Sequence, residues 1–171
     1  MRGTRRFGWL SAAAVAAGLS IGVGPAAAAS TFVQGAGALR DLQPTTANAT
    51  DGATATFYGF QAGGEGTFVL VVRGLNPASA GTTFGAHVHV GPCVAGNGGA
   101  AGAHYNSGGP ASPETEVWLD FTVLPGGYGI ARTTVPFTID SGDAQSVVIH
   151  ALPTAPGGAA GARQACLPVA F

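Results

Sequence analysis

Six side chains suited to metal or redox chemistry stand out in this sequence of 171 residues: four histidines and two cysteines, beside one methionine and no lysine. In His87-Val88-His89 the imidazoles stand at i and i+2, so on a strand both project from one face with room for a metal between or above them. A polar pair on a solvated face has the same spacing. His104, in Gly102-Ala-His-Tyr-Asn, falls on a Gly-rich stretch just after that pair, where an exposed loop histidine is the ordinary reading. His150 closes the apolar run Ser146-Val-Val-Ile-His, a place for a buried neutral histidine bonded to backbone. Taken jointly, two histidines on one strand, one on the following loop and one near the end of another strand make an all-imidazole set. Such a set suits copper or zinc, and a planar or distorted arrangement of nitrogens suits Cu(II).

The elements that must position these residues read as β-strands. Runs rich in β-branched and aromatic residues cover Thr31–Leu42, Ala53–Phe60, Gly66–Leu75, Thr82–Val90, Glu116–Val123, Gly129–Ile139, Ser146–Leu152 and Ala165–Phe171. None carries a helical apolar stripe. Segments of this length, separated by turns such as Gly63-Gly64 and Gly126-Gly127, predict one antiparallel sandwich or barrel. The Gly/Ala/Ser/Pro stretches 95–113 and 153–161 are expected to be loops. There is no internal repeat, and residues 30–171 are expected to form a single domain.

Composition narrows the class. Charged residues make up 9% of the chain, against about 25% in an average soluble protein. Residues 1–29 read as an export signal: Arg2, Arg5 and Arg6 precede an apolar stretch from Phe7 to Val23, and Ala27-Ala28-Ala29 before Ser30 has the form of a signal-peptidase site. Its apolar run is short for a membrane anchor, and no other stretch approaches the ~20 apolar residues of a span. An extracytoplasmic protein without a membrane span is expected. Cleavage near Ala29 leaves four arginines against eight acids, a net charge of −4, which argues against a nucleic-acid partner. In an oxidising compartment Cys93 and Cys166 can form one internal bridge. Two buried free thiols, or a cysteine acting as a metal ligand, are the other readings.

The ordered motifs Gly85-Ala-His-Val-His, Cys93, Gly102-Ala-His-Tyr-Asn, Ser146-Val-Val-Ile-His-Ala and Gly161-Ala-Arg-Gln-Ala-Cys166 resemble the exported copper/zinc superoxide dismutase family. The resemblance runs from about residue 31 to 171 and is strongest after Thr82. It implies an eight-stranded Greek-key β-barrel with one disulfide, Cys93–Cys166. It implies one copper per chain, held by His87, His89, His104 and His150. It also places Arg163 above that copper as the catalytic side chain that guides the anion.

The departures from the family are equally specific. The zinc site of the family uses two further histidines and an aspartate after the shared histidine, yet no histidine lies between His104 and His150. Glu114, Glu116 and Asp120 are the acids nearest His104 in that segment, and with it they would make at best a weak, carboxylate-rich site. The stretch between His150 and Arg163 is twelve residues, mostly Gly, Ala and Pro, where the family has a longer charged loop. Both losses resemble the copper-only branch of the family, in which an acid takes the place of zinc beside a copper-binding histidine. Glu116 is the candidate, with Glu114 behind it.

The implied activity is conversion of superoxide to oxygen and hydrogen peroxide by Cu(II)/Cu(I) cycling, without a normal zinc site. Two other functions fit parts of the sequence. A copper-buffering module of the cell envelope would keep the four histidines without turnover. An adhesion-type β-sandwich would account for His87–Pro92 but not for His104, His150 or Gly161–Cys166.

Overall fold

The computed structural model describes residues 30–171, so the export signal read at residues 1–29 lies outside the described residues. Period-two burial builds the main layers. In the strands Thr54–Ala62 and Glu65–Arg73, Ala55, Phe57, Phe68, Leu70 and Val72 point into the core while their neighbours face outward. This is the half-buried pattern of an antiparallel sheet with one face packed and one solvated.

The described residues form ten strands: β1 Thr31–Ala38, β2 Arg40–Asp41, β3 Thr54–Ala62, β4 Glu65–Arg73, β5 Thr83–Phe84, β6 Ala86–His89, β7 Phe121–Thr122, β8 Tyr128–Val135, β9 Ser146–His150 and β10 Arg163–Pro168. One four-stranded sheet has the order β1-β3-β4-β8, a second β2-β10-β9-β6, and β5 pairs with β7. Neighbours such as β4 and β8 are distant in sequence. The chain therefore leaves the first sheet after β4, builds part of the second, and returns.

The fold is all-β and antiparallel, with the Cys93–Cys166 disulfide formed. It is an open sandwich, because no ladder joins the two four-stranded sheets edge to edge. Between them lies one core, with Phe57, Phe68, Leu70, Val72, Val88, Val147 and Ile149 among its members. Among the described residues no helix is long and apolar enough to cross a membrane.

Three expected strands are resolved differently. The run 82–90 divides at Gly85 into β5, which pairs with β7, and β6, which pairs with β9. The run 31–42 is broken at Leu39, where the chain passes from the first sheet into the second; Leu39 donates its N–H to the Ala53 carbonyl. The run 116–123 is regular only at β7. Its earlier part meets neighbouring segments through single bridges, Asn106 opposite Glu116 and His87 opposite Trp118.

The second sheet matters most for the site. In β6 and β9 every residue is buried, including the polar ones. Ala86, Val88, Val147 and Ile149 face the core, so alternation turns His87, His89, Val148 and His150 to the opposite face. Loops cover that face. The disulfide lies there too, in a small apolar cluster with Leu42, Ala101 and Val148.

Candidate metal centre

Three of the four histidines reach one face through strand alternation. His87 and His89 lie on β6, and His150 at the end of the adjacent β9 donates its backbone N–H to the Gly85 carbonyl just before β6. His104 arrives from the loop. The segment around it pairs with β6, with Tyr105 N–H on the Val88 carbonyl at 2.8 Å and Val90 N–H on the Ala103 carbonyl at 3.1 Å. This sets His104 directly opposite His89.

The result is a cluster in which one ring nitrogen from each of His87, His89, His104 and His150 lies within 4.8 Å of the other three. His87, His89 and His150 are buried, and His104 is partly covered. The rings of His87 and His104 stack at 4.0 Å between centroids.

The nitrogens that face outward from the cluster have partners. Nδ1 of His89 donates to the Gly102 carbonyl and Nδ1 of His150 to the Gly161 carbonyl, each at 3.2 Å. Both glycines adopt positive φ, 67° and 75°, which L side chains rarely adopt. A Cβ would also press on Val90 at the first and on Leu152 at the second, about 2.8–2.9 Å away. Glycine thus lets the loop backbone turn a carbonyl toward each ring.

Nδ1 of His104 donates to Oε2 of Glu116 at 2.8 Å. The same carboxylate accepts from Trp118 Nε1 at 2.9 Å and Asn106 Nδ2 at 3.3 Å, and Glu116 is 4% exposed. Gly158 packs over it: a Cβ there would lie 3.2 Å from Oε2. Of the three acids named from the sequence, only Glu116 meets His104. Glu114 is exposed, and Asp120 turns away to Thr154, so the carboxylate-rich site of several acids around His104 does not form.

The nitrogens that face inward show what the cluster is suited to hold. Nε2 of His89 and Nε2 of His150 are 3.3 Å apart, although each ring already has its proton engaged at Nδ1. Two lone pairs therefore meet. Nδ1 of His87 is buried without any hydrogen-bond partner, one of very few such atoms among the described residues.

A proton does not resolve this arrangement. Burial, then the nearby His104, His150 and His89, depress His87 to about 2. Burial first, with His104, Arg163 and His150 adding to it against the Gly102 hydrogen bond, depresses His89 to about 3. His150 falls to about 4, chiefly through burial, with the Gly161 hydrogen bond opposing. At neutral pH all three are neutral imidazoles, the form in which histidine binds metals. A buried cluster of lone pairs with no protons to share fits a cation, so the four histidines could hold a metal ion.

Arg163 begins β10 beside His150, its register partner, at an irregularity in the β9–β10 ladder. Its Nη1 donates to the Gly98 carbonyl at 2.7 Å and its aliphatic stem packs near Gly98. The side chain is half-buried, and desolvation lowers its affinity for the proton without discharging it. Its charge is felt at both His89 and His150.

Sequence reasoning missed Thr154 and the placement of Asp120. Thr154 lies in a loop of Gly, Ala and Pro that offered no signal. For Asp120 the signal was the alternation Glu116-x-Trp118-x-Asp120, which puts all three on one side of an extended segment. This chain matches no protein-family model and no curated protein.

Proposed function

We propose that this protein is an exported copper-dependent superoxide dismutase of the copper-only type, as the resemblance of its ordered motifs suggests. The observation that carries the reading is the set of four converging histidine nitrogens, three of them on buried residues, with Glu116 in place of a second metal at Nδ1 of His104. Four imidazoles without thiolate or carboxylate ligands suit copper.

His87 would bind through Nδ1 and His89, His104 and His150 through Nε2, because those are the nitrogens left free by the outward hydrogen bonds. Bound copper supplies one-electron chemistry, by which two superoxide anions and two protons become one oxygen and one hydrogen peroxide. The protein supplies the rest. Glu116 holds the His104 ring in one orientation and tautomer. Arg163 offers a fixed positive charge next to the cluster, with guanidinium donors beyond the one engaged at Gly98. The described residues carry a net charge of −4, so attraction of an anion must come from this local charge and not from the protein as a whole.

Copper content measured alongside superoxide consumption on the purified protein tests the reading. One copper per chain with turnover supports it. Copper without turnover identifies a copper-holding envelope protein instead, and absence of stoichiometric copper removes both.

A further inference from the structure

We infer that Asp120 and Thr154 are positioning residues that fix the tautomer of His87, so that Nδ1 is the nitrogen presented to the metal. The inference deepens the metal-centre reading above and rests on it for its role, though not for its first measurement.

The four histidines are not oriented in the same way. Three of them direct an N–H outward to a group that can only accept: the Gly102 carbonyl, the Gly161 carbonyl or the Glu116 carboxylate. An acceptor-only partner settles the tautomer by itself. His87 has no such partner. Its outward nitrogen, Nε2, meets Oγ1 of Thr154 at 2.8 Å, and a hydroxyl can donate or accept. Taken alone, that contact allows the proton on either ring nitrogen.

Asp120 removes the choice. Its Oδ1 accepts the Thr154 hydroxyl at 2.6 Å, and its Oδ2 accepts the Thr154 backbone N–H at 2.7 Å. A threonine hydroxyl has one hydrogen. With that hydrogen on the carboxylate, Oγ1 can only accept from His87, which requires Nε2–H and leaves the lone pair on Nδ1. That is the buried atom without a partner.

The surroundings hold the relay in place. Oδ1 of Asp120 also receives the Ala86 N–H at 3.4 Å, which ties the carboxylate to the residue next to His87. Gly85 leaves the room the hydroxyl needs, since a Cβ there would sit 2.9 Å from Thr154 Oγ1. Thr154 and Asp120 thus do for His87 what a carbonyl or carboxylate does directly for the other three.

Long-range 1H–15N correlation spectra of the metal-free, 15N-labelled protein near pH 7 read each histidine tautomer, and Cu(II) competition titration reads the consequence. Wild type and Thr154→Ser should show His87 with its proton on Nε2 and share one copper affinity. Thr154→Val keeps the shape but removes the hydroxyl, and should let the Nδ1–H form appear. In Asp120→Asn the oxygen is retained by the Thr154 N–H, so the new NH2 faces Oγ1 and turns the hydroxyl hydrogen toward His87. That variant should shift the proton to Nδ1. Both variants should bind Cu(II) about tenfold or more weakly, the usual scale for loss of a ligand's orienting partner.

Nδ1–H at His87 in the wild type would overturn the inference. So would Nε2–H and unchanged affinity in both Asp120→Asn and Thr154→Val. Because the tautomer is read without metal, a protein that binds no copper would refute the functional reading while leaving the tautomer result standing.

Discussion

Nε2 of His89 and Nε2 of His150 face each other at 3.3 Å across the outer side of β6 and β9, each with its ring proton held on the far side by a glycine carbonyl. Lone pairs oppose at that separation, and burial prevents either ring from taking a proton to bridge them. The sheet, the two loop glycines and the core below therefore hold the cluster in a form that a cation stabilises. A metal ion bound here would couple its binding to folding free energy.

Acid should destabilise the metal-free protein. An unfolded histidine binds a proton near pH 6.5, whereas in the fold His150 does so only at about 4, His89 at about 3 and His87 at about 2. Below pH 6.5 the unfolded state therefore holds more protons, and stability falls as pH falls, until each folded value is passed. The slope is on the order of 1 kcal/mol per pH unit for each histidine. Urea midpoints of the metal-free protein at pH 7, 6 and 5 should decline in that order, and a flat profile would contradict the burial argument.

Glu116→Gln should weaken the hold on His104 while leaving the fold intact. Glutamine retains one uncharged oxygen for three donors and sets an NH2 either against Asn106 Nδ2 or against His104 Nδ1 and Trp118 Nε1 together. Copper affinity should fall about tenfold. Competition titration checks it, and unchanged affinity together with an unchanged rate would remove Glu116 from the centre.

Arg163→Ala should slow superoxide consumption by about tenfold at low ionic strength, with copper content unchanged. The wild-type rate should fall as salt is added and the variant rate should not. If the variant loses its copper instead, Arg163 is a structural clasp on Gly98, to which its Nη1 is bonded.

Removing the disulfide should cost about 4 kcal/mol, since the bridge closes a loop with a sequence separation of 73. It also ties β10, which carries Arg163, to the loop after β6. Cys93→Ser with Cys166→Ser, compared with wild type by urea unfolding, checks the magnitude. A loss under 1 kcal/mol would show that the Leu42–Val148 cluster holds that corner without it.

Much of this centre is legible in the residues themselves. A His-x-His on a strand predicts a shared face, and β6 supplies it because Ala86 and Val88 are the residues that pack into the core. The all-β, antiparallel class follows from turn-separated runs with β-branched and aromatic residues. What escapes is whatever depends on chain crossing. Leu39 breaks an apparently continuous strand because the chain changes sheets there. The segment from Glu116 to Asp120 has strand composition but spans two partners, so it forms bridges and not a ladder. Thr154 is invisible in one dimension: its importance comes from a loop that returns it to Asp120, 34 positions away in sequence.

The most direct test of the central claim is the rate of superoxide consumption by the protein loaded with one equivalent of copper and no zinc, measured beside His150→Ala treated in the same way. A copper-only dismutase predicts one tightly held copper, copper-dependent turnover that added zinc does not raise, and loss of both copper and turnover in His150→Ala. Stoichiometric copper in the four-histidine site with no superoxide consumption would contradict it.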